Sequence, residues 1–320
     1  MTRKTVAGIA AAGGIAATSM LISHFTTRYL MKVAMARREP KSVKKLKKHL
    51  TKSPRTQELL QTMRERSAQL QEIARETVEI TSHDGETLTG HWYGNPKAKR
   101  VILAMHGWRS SWSQDFGLIY EFFHDHGCSV LYAEQRGQNN SSGEYMTFGV
   151  LEQYDCTDWL AWINERTGGK LPIYLCGVSM GATTVLMAAG QELPENVHGI
   201  ISDCAFTSPH AIWKHVVKDN LHLPYAFRGY TINRMFKRRL NTDAREYSTV
   251  QALEKNTVPI FFAHGGADRF VPLEMTFENY RACKAEKRLL VVPEAIHGLS
   301  YYYDKERYEA ALLDFFRDFD

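Results

Sequence analysis

The chain has 320 residues, a formal net charge of +5, 44% hydrophobic residues and 23% charged residues. That composition is ordinary for a globular protein and excludes a collagen-like, disulfide-dense or wholly disordered chain. The length suffices for one large domain or two small ones.

The first element is a stretch of 19 residues without a charge, Thr5 to Ser23 (TVAGIAAAGGIAATSMLIS). It is long enough to cross a hydrocarbon core, so residues 1–23 are expected to form a single-pass membrane anchor. Two rival readings stay open. A cleaved signal peptide would use the basic start at Arg3 and Lys4, but no clean small-x-small site follows the apolar stretch at once. A soluble helical extension is the other. Arg28, Lys32, Arg37 and Arg38 follow the span, then Lys41, Lys44, Lys45, Lys47, Lys48 and Lys52, against the single acid Glu39 in the run 37–52. Positive charge resists translocation, so the C-terminal side, and with it the rest of the chain, is expected on the cytoplasmic face of the cell membrane. The basic run suits anionic headgroups; the bland alternative is a solvated linker. No nucleic-acid fold signature accompanies it, so no nucleic-acid partner is expected. Residues 55–77, with Leu59, Leu60, Met63, Leu70 and Ile73 among charges, read as one amphipathic helix. Residues 24–77 are thus a basic juxtamembrane segment followed by this helix.

From about Val78 the pattern becomes strands alternating with helices. VEIT and LTGHWY flank His83-Asp84-Gly85, whose Asp-Gly pair favours a hairpin turn. VILAMHG (101–107) is an apolar run suited to a strand buried on both faces. Ser113 is expected to cap a helix running to His126 and stopped by Gly127. The strand SVLYAEQRG (129–137) follows, then a helix at about 150–166 with Leu151, Tyr154, Trp159 and Ile163 inward. LPIYLCGVSMG (171–181) is a strand entering a sharp turn and a helix, and VHGIISDCAF (197–206) is another strand. Residues 209–246 lack strand character and read as a small helical lid. VPIFFAHGGAD (258–268), a helix to about Cys283, RLLVVPEAIHG (288–298) and a helix at 304–318 complete residues 78–320. The fold class is α/β: a mostly parallel central sheet with helices on both faces. Ligands in such folds bind beyond the carboxyl ends of the strands.

The five cysteines (Cys128, Cys156, Cys176, Cys204 and Cys283) are scattered, without C-x-x-C or zinc spacing. Cys128, Cys176 and Cys204 fall in apolar runs where cysteine behaves as a small hydrophobe. Free thiols fit a reducing compartment. Neither a metal nor an organic cofactor is expected.

Gly177-Val178-Ser179-Met180-Gly181 matches G-x-S-x-G in the strand–turn–helix context that exposes a nucleophilic hydroxyl; a structural glycine turn is the bland alternative. A serine hydroxyl needs a base to take its proton. His297, in the loop after the last apolar strand, has the right place in the order. The histidine needs a carboxylate to fix its tautomer. Asp268 ends the preceding strand in HGGADRFVP (264–272), although a turn aspartate capping the next helix would look the same. The order Ser179, Asp268, His297 differs from those of chymotrypsin and subtilisin. An oxyanion needs preorganised donors. The backbone N–H of Met180 and that of Trp108, after the strand 101–107, are the candidates. His106 is expected to hold that loop by hydrogen bonding, or simply to be a buried histidine.

These residues resemble the α/β-hydrolase superfamily from about Val78 to Asp320, and within it bacterial membrane-anchored relatives of serine aminopeptidase-like and acyltransferase-like hydrolases. The shared marks are MHGWRSS (105–111), Glu134-Gln135-Arg136-Gly137, GVSMG, SDCAFTS (202–208), HGGADRFVP and Ile296-His297-Gly298. They imply the fold and the triad and leave the substrate open. Glu134 stands where the family has Asp, and Asn139 where it has a second Gly in D-x-R-G-x-G-x-S; Asn tolerates a left-handed backbone.

The lid sequence mixes Trp213, Tyr225, Phe227, Tyr230 and Phe236 with Lys214, Lys218, Arg228, Arg234, Lys237, Arg238, Arg239 and Arg245. One reading is a surface that accepts an acyl chain beside an anionic headgroup; the other is a helical cap with a solvated cationic face. The expected activity is hydrolysis of a carboxylic ester or thioester through an acyl-enzyme, on a small-molecule or lipid-like acyl substrate. A serine peptidase and a catalytically silent, membrane-tethered binding module are the alternatives.

Overall fold

Eight strands form one sheet because the central runs carry no polar face to leave in water. In the computed structural model, which describes residues 3–40, 54–73 and 75–320, with side chains from 18 and from 57 in the first two stretches, β3 (Arg100–Met105), β4 (Cys128–Ala133) and β7 (Ile260–Gly265) are buried along their whole length. With β1 (Glu76–Thr81), β2 (Thr87–Tyr93), β5 (Ile173–Val178), β6 (Val197–Asp203) and β8 (Lys287–Val292), they are ordered β1-β2-β4-β3-β5-β6-β7-β8. The β1–β2 hairpin and the β2–β4 pair are antiparallel, and every other pair is parallel. The expected hairpin is present, with Gly85 at φ +90° in its turn.

Alternation along the strands feeds two cores. Leu103, Met105, Leu131 and Leu175 pack on one face with Trp159, Leu160 and Ile163 of α5 (Glu152–Thr167) and with Val185 and Leu186 of α6 (Met180–Ala188). Ile102, Val130, Tyr174 and Phe261 pack on the other face with Phe122 and Phe123 of α4 (Tyr120–Asp125) and with Leu312, Phe315 and Phe316 of the C-terminal helix Lys305–Phe319.

Two boundaries and one helix face differ from the sequence reading. The strand expected over 129–137 stops at Ala133, because the polar side chains of Glu134, Gln135 and Arg136 are buried in specific hydrogen bonds that a ladder could not supply. The helix expected from Ser113 is capped by Ser111, whose hydroxyl accepts from Gln114 N–H at 3.3 Å, and it splits into α3 (Trp112–Phe116) and α4. The break falls at Gly117, where a Cβ would lie 2.5 Å from Ser113 O and 2.9 Å from Ser67 N, so α2 (Pro54–Glu72) crosses too closely for any side chain. Finally, Leu151 and Tyr154 are only half-buried, and the inner stripe of α5 runs through Cys156, Trp159, Leu160 and Ile163.

The lid is helical, as expected. It comprises α7 (Pro209–His215), a π-helical turn (Val216–Asn220) and α8 (Ala226–Leu240). Trp213, Val217, Ile232 and Phe236 face inward, whereas Phe227 and Tyr230 are exposed. The lid core is completed from an unexpected quarter. The N-terminal helix α1 runs from Arg3 to Met35, past the boundary expected at residue 23, and buries Met31 and Met35 against α8. Among the described residues no helix is long and apolar enough to cross a membrane. Most of the span expected over 5–23 has no described side chains, and the basic run over 41–52 lies outside the described residues. Further along the chain come α9 (Thr249–Leu253), α10 (Leu273–Ala282), α11 (Ser300–Tyr303) and α12 (Lys305–Phe319).

Candidate active site

The turn after β5 is made by two glycines that fit against each other. A Cβ on Gly177 would lie 2.3 Å from the carbonyl of Gly181, and one on Gly181 would lie 1.9 Å from Met105 O. Only hydrogen at both positions lets α6 start this close to β5 and β3. Between them Ser179 adopts φ 55°, ψ −114°, a conformation rare for a side-chain-bearing residue, and its N–H is held by Asp203 O at 2.8 Å.

The structure brings Ser179, His297 and Asp268 together. The hydroxyl of Ser179 is 2.8 Å from His297 Nε2, and His297 Nδ1 is 2.6 Å from Asp268 Oδ2. The imidazole can donate from Nδ1 to the carboxylate while Nε2 accepts from the hydroxyl, the arrangement that general-base activation requires. Asp268 stands on the loop after β7, and His297 on the loop after β8. Close contact between those loops depends on Gly265, where a Cβ would lie 2.3 Å from Ala295 O.

Asp268 is also held by groups the sequence did not single out. Its Oδ1 accepts from the N–H groups of Phe270 (2.8 Å) and Val271 (3.0 Å). His264, fully buried at the end of β7, places Nε2 3.3 Å from Asp268 Oδ2 and 3.0 Å from Val271 O. Facing two acceptors, Nε2 carries the proton, and Nδ1 accepts from the Thr276 hydroxyl at 2.7 Å. Burial alone would raise the pKa of Asp268, but hydrogen bonds from His264 and His297 and the Val271 N–H hold it well below the usual carboxylate range. The one signal in the sequence was a second histidine four residues before the aspartate. Phe270 packs edge-on against the His297 ring at 5.0 Å between centroids, on the loop that also carries the acid.

The two expected oxyanion donors flank the serine. The Met180 N–H opens α6, and a Cβ on Gly107 would lie 3.5 Å from Ser179 Cβ, which places the Gly107-Trp108 loop beside the hydroxyl. Among the described residues, neither the Met180 nor the Trp108 backbone N–H donates a hydrogen bond, whereas Gly107 N–H donates to Asp115 Oδ2 (2.6 Å) and Arg109 N–H to Gln138 Oε1 (2.6 Å).

His106 does not reach the serine. It is fully buried, accepts the Gln135 N–H at Nε2 (3.1 Å) and therefore donates from Nδ1 to Gly107 O (2.8 Å), which makes it a fastener of the loop. Burial lowers its pKa, in keeping with a neutral ring. Glu134 accepts from the Asn140 N–H at 2.6 Å and contacts His91 Nε2 at 2.8 Å, and Asn139 takes φ +49°, so both residues that depart from the family pattern help hold the loop.

An apolar pocket of about 120 Å³ opens on Ser179. Its lining includes Phe148, Phe206, Trp213, Val217 and Ile232, together with Leu30, Met31, Val33 and Ala34 of α1. Among the described residues, Cys204, Asp268 and His297 bring ligand-type atoms within 4.8 Å of one another. Within that group Asp268 and His297 are hydrogen-bonded to each other at 2.6 Å.

Residues 100–249 match the model of the α/β hydrolase fold family. The uncharacterized protein YqkD of Bacillus subtilis is 24% identical over 240 residues, covering 74% of this chain and 77% of its own. YfhR of Escherichia coli K12 is 22% identical, covering 75% and 80%. Among solved structures, the Pyrococcus furiosus esterase Pf2001 superposes with a TM-score of 0.63 at 22% identity, over 77% of this chain and 91% of that one. The Pyrococcus horikoshii acylaminoacyl peptidase gives 0.57 at 17% identity, over 77% of this chain and 42% of that one.

Proposed function

The chain has the α/β-hydrolase fold, and from that premise we propose that it is a serine hydrolase cleaving carboxylic esters or thioesters through an acyl-enzyme intermediate. The observation that carries this reading is the unbroken hydrogen-bond line from the Ser179 hydroxyl through His297 to Asp268. Ser179 Oγ attacks the acyl carbon while His297 Nε2 takes its proton, and Asp268 stabilises the resulting imidazolium. The oxyanion is received by the N–H groups of Met180 and Trp108. His297 returns the proton to the leaving oxygen or sulfur. A water deprotonated by the same imidazole then attacks the acyl-enzyme, and collapse of the second tetrahedral intermediate releases the carboxylic acid and restores the Ser179 hydroxyl.

The apolar pocket favours an aliphatic or aromatic acyl group over a charged one. Labelling with a fluorophosphonate probe tests the reading: the wild-type chain is expected to label and Ser179→Ala not to. A panel of p-nitrophenyl esters, acyl thioesters and aminoacyl anilides then separates esterase from peptidase, and turnover confined to the anilides would replace the ester reading.

We also place the enzyme at the cell membrane, its catalytic domain on the cytoplasmic side. The uncharged stretch 5–23, the cations that follow it, and the exposed apolar side chains of Met20, Leu21, Ile22 and Phe25 on α1 support this. Retention in the membrane pellet after alkaline carbonate extraction is the expected result; release into the supernatant would exclude an integral anchor.

A further inference from the structure

We propose that the last turn of α1 is a working part of the active site, and that Arg109 is the positioning residue that ties it to the Trp108 N–H donor. The proposal rests on the reading of Ser179 as nucleophile.

The closing carbonyls of a helix have no intrahelical partners and carry the negative end of its dipole. In α1 the carbonyls of Val33 and Ala34 are taken by the loop that follows β3. Arg109 donates from Nε (3.1 Å) and Nη2 (2.6 Å) to Val33 O, and from Nη2 to Ala36 O (2.6 Å). The Trp108 indole N–H donates to Ala34 O at 2.7 Å. Two consecutive side chains of the oxyanion loop therefore grip the end of a helix more than 70 positions earlier in the sequence.

The grip sets the backbone between them. The N–H groups on either side of Trp108 N–H are both consumed, by Asp115 and by Gln138, so the register of the loop leaves only the middle one to face a substrate oxygen. Arg109 sits at φ +51°, a left-handed conformation that an arginine keeps only when its surroundings hold it there. The far side of the helix end is fastened as well. Arg37 N–H donates to Glu144 O (3.0 Å), Met146 N–H to Met35 O (2.8 Å) and Arg37 Nη2 to Asn139 O (2.7 Å), while Asn139 Nδ2 donates back to Ser110 O (3.0 Å). Leu30, Met31, Val33 and Ala34 of the same helix also form a wall of the pocket above Ser179. Docking of α1 thus completes both the oxyanion site and the acyl site.

The test compares the full-length wild type with Arg109→Ala, Arg109→Lys and Trp108→Phe. Three quantities are read: kcat and KM on a p-nitrophenyl ester, inhibition by a boronic acid that mimics the tetrahedral intermediate, and the melting temperature. Losing an oxyanion donor outright costs about 10²–10³ in kcat, which bounds the effect of misplacing one. Arg109→Ala is expected to lower kcat about 10- to 100-fold, with KM within about twofold, and to weaken the boronic acid in parallel. Arg109→Lys is expected to recover little, because an ammonium lacks the planar Nε–Nη fork that reaches Val33 O and Ala36 O together. Trp108→Phe keeps the ring, loses the bond to Ala34 O, and should show a smaller fall in the same two readouts. If Arg109→Ala does not fold, Trp108→Phe decides. Folded variants with wild-type kcat and wild-type inhibition overturn the proposal while leaving the serine-hydrolase reading intact. A wild-type chain without Ser179-dependent labelling overturns both.

Discussion

His264 and His297 both approach the same oxygen of Asp268: Oδ2 lies 2.6 Å from His297 Nδ1 and 3.3 Å from His264 Nε2. The acid is therefore oriented by a buried histidine as well as by the base. Replacing His264 with alanine removes one of the hydrogen bonds that depress the Asp268 pKa, so that pKa rises toward 3.8, its ordinary value. The low-pH end of the kcat/KM profile, where Asp268 itself titrates, should move to higher pH. One hydrogen bond to a charged group contributes about 1.5 kcal/mol, so kcat is expected to fall about tenfold. A pH–rate profile identical to wild type would exclude this orienting role.

Acid stability follows from the same sign. Asp84 is held below the carboxylate range by hydrogen bonds from Arg136, and Asp268 by its histidine partners despite burial. A carboxylate with a depressed folded-state pKa stabilises fully above its unfolded value, here 3.8, and that stability is lost as pH falls through the folded value. The stability difference between wild type and Asp84→Asn, followed by urea unfolding from pH 7 to pH 3, should close only at the acid end. Asp84→Asn should be less stable than wild type at pH 7 and flatter against pH below about 4. A variant curve parallel to wild type would show that Asp84 does not contribute.

The pocket makes a prediction about acyl length. Val217 lines it together with residues of α1. Val217→Trp should leave acetate ester turnover near wild type and lower kcat/KM for an octanoate ester about tenfold or more, since each lost methylene contact is worth roughly 1 kcal/mol. Equal losses on both esters would mean that the acyl chain lies elsewhere.

Gly181 admits no side chain. A Cβ there would sit 1.9 Å from Met105 O and 2.8 Å from His106 O, both backbone atoms of the neighbouring strand end. Gly181→Ala should destabilise the fold by about 3 kcal/mol or prevent soluble expression, as overpacking against backbone does. Urea unfolding of whatever soluble protein is obtained measures it, and a variant with wild-type stability would refute the geometry.

The five cysteines are free and buried. Burial pushes the Cys128 thiol up to about 11 and raises the others as well. Native protein at pH 8 should react negligibly with a disulfide reagent such as DTNB, and all five thiols should react in denaturant. Rapid reaction of a native thiol would contradict this burial.

The sequence by itself determined the alternation of apolar strands and helices, and hence the parallel sheet. It also placed Ser179, Asp268 and His297 at three strand ends, because period and glycine placement are local properties. Strand limits were less legible: the run 129–137 looks continuous until the partners of Glu134, Gln135 and Arg136 are known, and those partners come from other parts of the chain. The same holds for His264, whose role depends on Thr276 and Val271 closing around it. Tertiary structure alone decided that the N-terminal helix, read as a separate anchor ending near residue 23, continues to Met35 and closes the pocket. Its small and sulfur-containing residues give no sign of a partner. The bonds that hold it run from Trp108 and Arg109, more than 70 residues away, to backbone carbonyls that every residue possesses. Contacts to generic backbone groups carry no signature in side-chain pattern, so only the folded chain reveals them.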